Sequence, residues 1–323
     1  MKQTTFASLA WNAKGRTTRR ERFLAEMNAV VPWARLMALI EPHYPKGDGG
    51  GRPPMPLERM LRIYCMQQWF NLSDPQAEDA LYDIEPMRRF AGIELAEDAI
   101  PDETTILHFR HLLEKHQLTE KIFAEVRALL EEKRLLLKSG TIVDATIISA
   151  PSSTKNETKS RDPEMQQTKK HGQWYFGMKV HVGASRQGLV HSLVTGRAGE
   201  ADITRLDELL HGQERELYGD QAYWSQDHRL HCQQAGIRYR VNRRPTNQHH
   251  PLSEYQLTLN QARSRRRARG EFAFRIVKRL WGYTMVRYRG LLKNTVRAFA
   301  LFALANLYLV RRRLLPRGAQ CPL

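Results

Sequence analysis

The first third of the chain has a helical rhythm. Phe23, Met27, Val30 and Val31 recur at intervals of three and four, the period of a helix with one apolar face. Pro32 stands where a second helix opens, through Leu36, Leu39 and Ile40. Residues 46–56, KGDGGGRPPMP, hold too much Gly and Pro for a regular element. No Gly-Lys-Ser/Thr follows those glycines, so they read as a connector and not as a phosphate cradle. The rhythm returns over 57–70, and Ser73, Asp74 and Pro75 signal a helix start for 76–82. Asp102 is placed to cap a helix with Ile106, Phe109, Leu112 and Leu113 on one face, ending near His116. After a turn at Gln117 and Leu118, Thr119 is placed to cap the next, striped by Ile122, Phe123, Val126, Leu129 and Leu130. Two helices joined so tightly suit a DNA-reading helix-turn-helix or an ordinary helical hairpin, since periodicity is the same in both. His108, His111 and His116 read as surface residues, and nothing in this region looks catalytic.

The rhythm changes at Ser139 and Gly140. Residues 141–149, TIVDATIIS, are rich in β-branched side chains and predict a strand, with Asp144 at its middle. A carboxylate inside a buried strand calls for a cation or a metal, because unpaired burial costs on the order of several kcal/mol. Residues 150–171 are polar and predict a flexible loop. Strand patterns resume at 174–182 and 189–195, and Asp202 is placed to cap a helix through Ile203, Leu206, Leu209 and Leu210. A short strand at 216–218 stops at Gly219 and Asp220, and a helix follows over 228–235. This alternation predicts an α/β sheet with helices packed on it, with ligands at strand ends, where Asp220 falls. The apolar run 298–310, AFALFALANLYLV, has 13 residues with Asn306 among them. That is short of the about 20 needed to span a bilayer, so it reads as a buried helix and no membrane partner is expected. The organisation expected is a helical N-terminal domain at 1–134, an α/β domain at 135–315 and a tail at 316–323.

Composition adds a partner. Fifty-one Lys and Arg against thirty-four Asp and Glu leave a net charge of +17, an excess that points to a polyanion, nucleic acid before an anionic membrane. Cys65, Cys232 and Cys321 are odd in number and form no CxxC pair, which argues against a disulfide framework or a cysteine zinc ribbon and fits a reducing cytoplasm. The first residues lack the apolar core of a signal peptide. His228, His231 and Cys232 have a spacing suited to zinc, but no second ligand pair follows. No GxSxG elbow supports hydrolase chemistry. Trp174, Tyr175 and Phe176 suit base stacking as well as plain strand packing.

The charge is concentrated. Residues 263–313 carry fifteen Lys or Arg, and between Glu254 and the C-terminus the sole acid is Glu271. An exposed pair with Arg267 or Arg275, each four residues away, is worth about 0.3–0.5 kcal/mol, little reason to keep it. On a continuous helix Arg267, Glu271 and Lys278 share one face. Hard divalent cations take carboxylate oxygens, and two ions about 4 Å apart stabilise both the attacking and the leaving oxygen of a phosphodiester displacement. Asp144, Asp220 and Glu271 are candidates to hold such a pair, flanked by cations suited to DNA phosphates. Their separations, 76 and 51 residues, do not by themselves show convergence; acids on adjacent strands serve structure equally well.

Asp144 in TIVDATIIS, Asp220 in YGDQAY, and Arg267, Glu271 and Lys278 in RARGEFAFRIVK resemble the DDE signature of bacterial insertion-sequence transposases. The third motif of that group runs Arg, three residues, Glu, six residues, Lys, and both gaps are met. Residues 281–314, WGYTMVRYRGLLKNTVRAFALFALANLYLVRRRL, closely resemble the C-terminal part of the insertion-sequence-five type, within the wider insertion-sequence-four-like group. The N-terminal helices resemble its leader domain, so the likeness covers most of the chain.

The resemblance implies an RNase H-like α/β core preceded by an all-helical domain. It also implies two Mg²⁺ ions, with Mn²⁺ as substitute, and cleavage and joining of double-stranded DNA at terminal inverted repeats. A homo-oligomer on DNA, nucleoid-associated in a bacterial cytoplasm, goes with it. By carry-over Asp144, Asp220 and Glu271 are the catalytic metal ligands, and Arg267 and Lys278 handle DNA beside them; Arg263, Arg265, Arg266 and Arg275 extend that contact. The family often has Tyr three residues before the Arg, where Ser264 stands, and Gly two residues after the second Asp, where Ala222 stands. Gly270, directly before the acid, weakens a helix by about 1 kcal/mol and calls for a reason: close backbone approach to a strand or to DNA, or simple drift. Retention of all three acids favours an enzyme over a transposase-derived repressor; a non-transposing nuclease of the same fold is the third reading.

Overall fold

Side-chain caps start three of the helices of the N-terminal region in this computed structural model, which describes residues 13–47, 53–155, 157, 159–170, 172–245 and 251–315. The start of the chain, the centre of the Gly/Pro connector, and the tail with Cys321 lie outside them. The chain divides into two compact units, Met1–Leu118 with Val310–Leu323, and Thr119–Leu309.

In the first unit, α1 (Arg19–Val30) starts from Thr18, whose hydroxyl and Glu21 form a capping box. α2 (Trp33–Ile40) follows Pro32, and α3 (Leu57–Phe70) follows the connector. α4 (Asp74–Asp83) starts from a second capping box, Ser73 with Gln76, and leads into α5 (Glu85–Phe90). Asp102 accepts the Thr105 N–H at 2.7 Å and caps α6 (Glu103–Lys115). Met27, Leu36, Ile40, Leu61, Ile63, Leu81 and Leu113 form the buried stripe that these periods predict.

α7 (Leu118–Glu132) begins one residue ahead of the expected cap. Thr119 is fully buried in its first turn and is not the cap. The two helices that suggested a helix-turn-helix are apportioned to different units: α6 to the first, and α7 from Thr119 onward to the second.

The second unit is built on a mixed six-stranded sheet. Its strands are β1 (Thr141–Ser149), β2 (Gln166–Lys170), β3 (Gln173–Ser185), β4 (Val190–Arg197), β5 (Glu216–Tyr218) and β6 (Arg238–Tyr239). The order is β2-β3-β1-β5-β6, with β4 also on β3. β3 is antiparallel to β1, β2 and β4, whereas β5 runs parallel to β1 and to β6. This is an RNase H-like α/β core behind a helical region.

Three local expectations need correction. The polar stretch 150–171 is not all loop, since β2 pairs along β3 within it. Its side chains are mostly exposed, so backbone pairing holds it and no apolar alternation announces it. Asp202 does not cap a helix: it opens a 3₁₀ turn, Asp202–Arg205, without a side-chain cap bond, and its carboxylate pairs with Lys179 at 2.8 Å. α8 (Leu206–Leu209) is one turn long. The basic helix is also not continuous. After α9 (Gln226–Gln234), α10 (Glu254–Arg267) gives way to a 3₁₀ turn at Ala268–Gly270, then α11 (Glu271–Arg275), then a π turn at Ile276–Leu280.

α12 (Leu291–Leu314) contains the apolar run, and Ala298, Leu301, Ala303, Ala305 and Leu307 are buried. Asn306 within it bonds both ways to the Val190 backbone, accepting its N–H at 2.9 Å and donating to its carbonyl at 2.7 Å. Among the described residues no single helix is long and apolar enough to cross a membrane.

Candidate active site

β1 is the element on which the three acids meet. β5 lies parallel to it with Thr141 level with Leu217 and Ile142 with Tyr218. Carried forward two residues, that register brings Asp220 level with Asp144 just where the chain leaves the sheet. Asp220 then accepts the Ala222 N–H at 2.9 Å and opens a 3₁₀ turn, Gln221–Tyr223. Ala222, where the resembled family often has Gly, supplies that backbone bond.

Glu271 arrives by a different contact. A Cβ on Gly270 would stand 2.7 Å from Cγ2 of Ile142, two residues before Asp144 on the strand. Of the reasons open for this glycine, close approach to a strand is therefore the one observed. The acid at the next position is delivered to the cleft by that approach.

Asp144, Asp220 and Glu271 all line one open cleft of about 1250 Å³, together with Arg267, Arg275, Lys278 and Arg279. The Arg267 guanidinium spans two of the acids, Nη1 at 3.2 Å from Asp144 and Nη2 at 3.4 Å from Glu271. Burial pushes the Asp144 carboxyl up to about 6. The Arg267 charge and the Ala145 N–H act against this, and the charges of Asp220 and Glu271 add to it, the expected signature of acids sharing a site. Lys278 Nζ donates to Thr146 Oγ1 at 3.1 Å and to the Ile147 carbonyl at 2.9 Å, which fixes its charge beside the second half of β1. Burial and the nearby Lys170 lower its pKa.

The rest of the arginine run is divided. Arg263 donates to the Val241 carbonyl at 2.8 Å and lines an adjoining cavity. Arg265 and Arg266 face a separate cavity with Arg186, Tyr218 and Arg269. Ser264 accepts from Asn242 Nδ2 at 2.9 Å and so holds a cleft residue. Lys170, Asn242, Arg243, Asn260 and Arg279 belong to the cleft without having been singled out from sequence. Lys170 lies on the unannounced β2, and the others carry no periodic or motif signal. Trp174 is 64% exposed on β3. Cys232 is buried in a core cluster with Val143, Leu206 and Tyr223.

Three carboxylates are the donor set that hard divalent cations take. Among the described residues, though, no group of three or more His, Cys, Asp or Glu is disposed to hold a metal ion as it stands. The cation between Asp144 and Glu271 in this structure is the guanidinium of Arg267. The donors fit in type, with Arg267 as their present countercharge.

The sheet order and flanking helices define the RNase H-like class. Two family models match the chain: Transposase DDE domain over residues 136–307, more than half its length, and Transposase domain (DUF772) over residues 12–112. The chain belongs to the DDE-transposase domain family. No solved structure matches it.

Proposed function

We propose that this protein is an insertion-sequence transposase of the insertion-sequence-five type, cleaving double-stranded DNA at terminal inverted repeats and joining it to target DNA. The observation that carries the reading is the meeting of Asp144, Asp220 and Glu271 in one cleft rimmed by Arg267, Arg275 and Lys278. In this reading the three carboxylates hold two Mg²⁺ ions, or Mn²⁺. When bound, the ions supply Lewis-acid stabilisation of the attacking and leaving oxygens in phosphodiester exchange.

The chain's own residues prepare that chemistry. Arg267 lies between Asp144 and Glu271 and balances their charge. Arg275, Lys278 and Arg279 draw phosphates into the cleft, and Arg263, Arg265 and Arg266 hold DNA further out. The helical domain, 1–134, serves the DNA ends, and 135–315 performs the reaction. The protein works as a homo-oligomer on DNA, at the nucleoid of a bacterial cytoplasm.

The test is Mg²⁺-dependent nicking and strand transfer on a duplex carrying the element's ends. Nicked and joined products that vanish in Asp144→Asn are expected. If the ends are bound but the products do not depend on Asp144, the enzymatic reading is lost and a repressor is left. Cleavage without joined species identifies a nuclease.

A further inference from the structure

We propose that Tyr223 and His181 are positioning residues: a hydrogen bond between them, buried on the face of the sheet away from the cleft, sets where the Asp220 carboxylate stands. The inference rests on the reading of Asp220 as a metal ligand given above.

The turn after β5 carries the chain from one face of the sheet to the other. Asp220 lines the cleft with Asp144. Tyr223, at the end of the same turn, is fully buried in the cluster with Val143, the neighbour of Asp144 whose side chain takes the opposite face of β1. The turn is tight, since a Cβ on Gly219 would stand 3.0 Å from Val143 Cγ2 and 3.2 Å from Tyr223 Cβ. Asp220 is engaged inside it at both of its polar ends. Its carboxylate accepts the Ala222 N–H at 2.9 Å, and its carbonyl accepts the Tyr223 N–H at 3.2 Å. A shift of Tyr223 is therefore passed directly to Asp220.

Tyr223 is pinned at two points. Its carbonyl accepts the Tyr239 hydroxyl at 2.7 Å. Its own hydroxyl lies 3.5 Å from His181 Nδ1, its one hydrogen bond among the described residues. Burial raises the phenol's pKa and the charges of Asp202, Asp144 and Asp220 raise it further, so the hydroxyl keeps its proton. His181 stands on β3 directly across from Ala145, and so on the same face as Val143. Burial takes its pKa down to about 4, with Asp202 and Glu200 acting against this and Lys179 and Arg205 with it, so the ring is neutral at neutral pH. A fixed ion pair backs the ring: Asp202 Oδ1 is 3.9 Å from His181 Nδ1 and 2.8 Å from Lys179 Nζ, which also donates to the Glu200 carbonyl at 2.7 Å. His181 Nε2 is buried with no hydrogen-bond partner among the described residues. An unpaired nitrogen in a core costs stability, so an apolar side chain would serve packing better. What the imidazole adds is a partner for the phenol.

The test titrates Mn²⁺ into the full chain, following the free ion by electron paramagnetic resonance, with cleavage kinetics on a duplex carrying the element's ends alongside. Tyr223→Phe keeps the ring that fills the core and removes the hydroxyl alone. It is expected to weaken Mn²⁺ binding about tenfold, as loss of a group behind a metal ligand does, and to lower kcat while KM for DNA stays unchanged. His181→Leu should do the same, and the double variant should be no worse than either single one. His181→Asn, whose amide stands near the Nδ1 position, should recover most of the loss. Cys232→Ala, in the same core cluster but off the turn, should leave Mn²⁺ binding as it is; a matching loss there reduces Tyr223 to core packing and overturns the proposal. Wild-type Mn²⁺ affinity in Tyr223→Phe, with its fold checked by circular dichroism, overturns it too, as do multiplied losses in the double variant. If Tyr223→Phe does not fold, the His181 variants decide, and equal affinities in His181→Leu and His181→Asn overturn it. Should Asp220→Asn bind Mn²⁺ as tightly as the wild type, the metal-ligand reading itself has failed and takes the proposal with it.

Discussion

Gly270→Ala tests how Glu271 is held. The backbone at Gly270 is ordinary helix, φ −62° and ψ −23°, so conformation gives no reason for glycine, and propensity alone favours alanine by about 1 kcal/mol. Packing reverses the sign. The new methyl would lie 2.7 Å from Ile142 Cγ2, where ordinary contact begins near 3.4 Å, so one side must yield by several tenths of an ångström. Ile142 is 1% exposed and paired with Ala184 on one edge of β1 and Tyr218 on the other; the helical segment with Glu271 moves instead. Overpacking of this kind costs about 1–3 kcal/mol, which leaves a net loss of about 0–2 kcal/mol in urea denaturation. Misplacement approaching 1 Å costs about 100-fold in rate, so cleavage falls far more than stability. Adding Ile142→Ala removes the colliding methyl. The double variant should then be more stable than the sum of the single losses predicts, by more than the about 0.5 kcal/mol that independent sites allow. A Gly270→Ala protein that is about 1 kcal/mol more stable and fully active, or an additive cycle, refutes the reasoning.

Glu271→Gln should abolish cleavage while DNA affinity in gel shifts stays equal or rises, because a negative charge is removed; lost binding would make Glu271 a structural partner of Arg267. Arg275→Ala with Arg279→Ala should lower the slope of log affinity against log salt by about 0.9 for each phosphate contact removed, and an unchanged slope takes both out of the DNA path. His191 is buried and its pKa is lowered to about 3, first by burial and then by His211. The folded state thus binds fewer protons than the unfolded one below pH 6.5. Its contribution is full above pH 6.5 and is lost as pH falls toward about 3. His191→Gln should flatten that decline in pH-dependent urea melts, and an unaltered profile excludes His191 as its source.

What sequence made legible follows from what each element depends on. β1, β3, β4 and β5 announce themselves through apolar and β-branched runs, because burial holds them. β2 depends on backbone pairing with β3, and β6 is two residues long; neither leaves a pattern to read. Asp202 has the residue type of a cap, but whether it caps or pairs is decided by Lys179, which lies 23 residues earlier in the chain and reaches it through the fold. The acids were recognisable by motif, and their convergence was not. It depends on β5 lying beside β1 in the register that levels Asp220 with Asp144, a fact of topology that spacing does not encode. Asn242, Arg243 and Asn260 reach the cleft on a loop and one helix face, where polar residues look alike until neighbours are known.

The lone acid of the basic stretch has its explanation in the residues around it. Asp144 is buried at the centre of the sheet, and a carboxylate there needs a countercharge. Arg267 supplies it only if its helix lies against β1, and Gly270 permits that approach by presenting no side chain to Ile142. Once the helix is so placed, the residue after Gly270 enters the cleft whatever its type. A carboxylate there is within 3.4 Å of the same guanidinium, so Arg267 makes two acids tolerable at one place. A continuous helix from α10 onward would not be obliged to keep all these contacts. The chain tightens into a 3₁₀ turn at Ala268–Gly270 and widens into a π turn at Ile276–Leu280, adjusting pitch on either side of Glu271. Countercharge, close approach and pitch are thus one constraint, and Glu271 stands at the position that satisfies it.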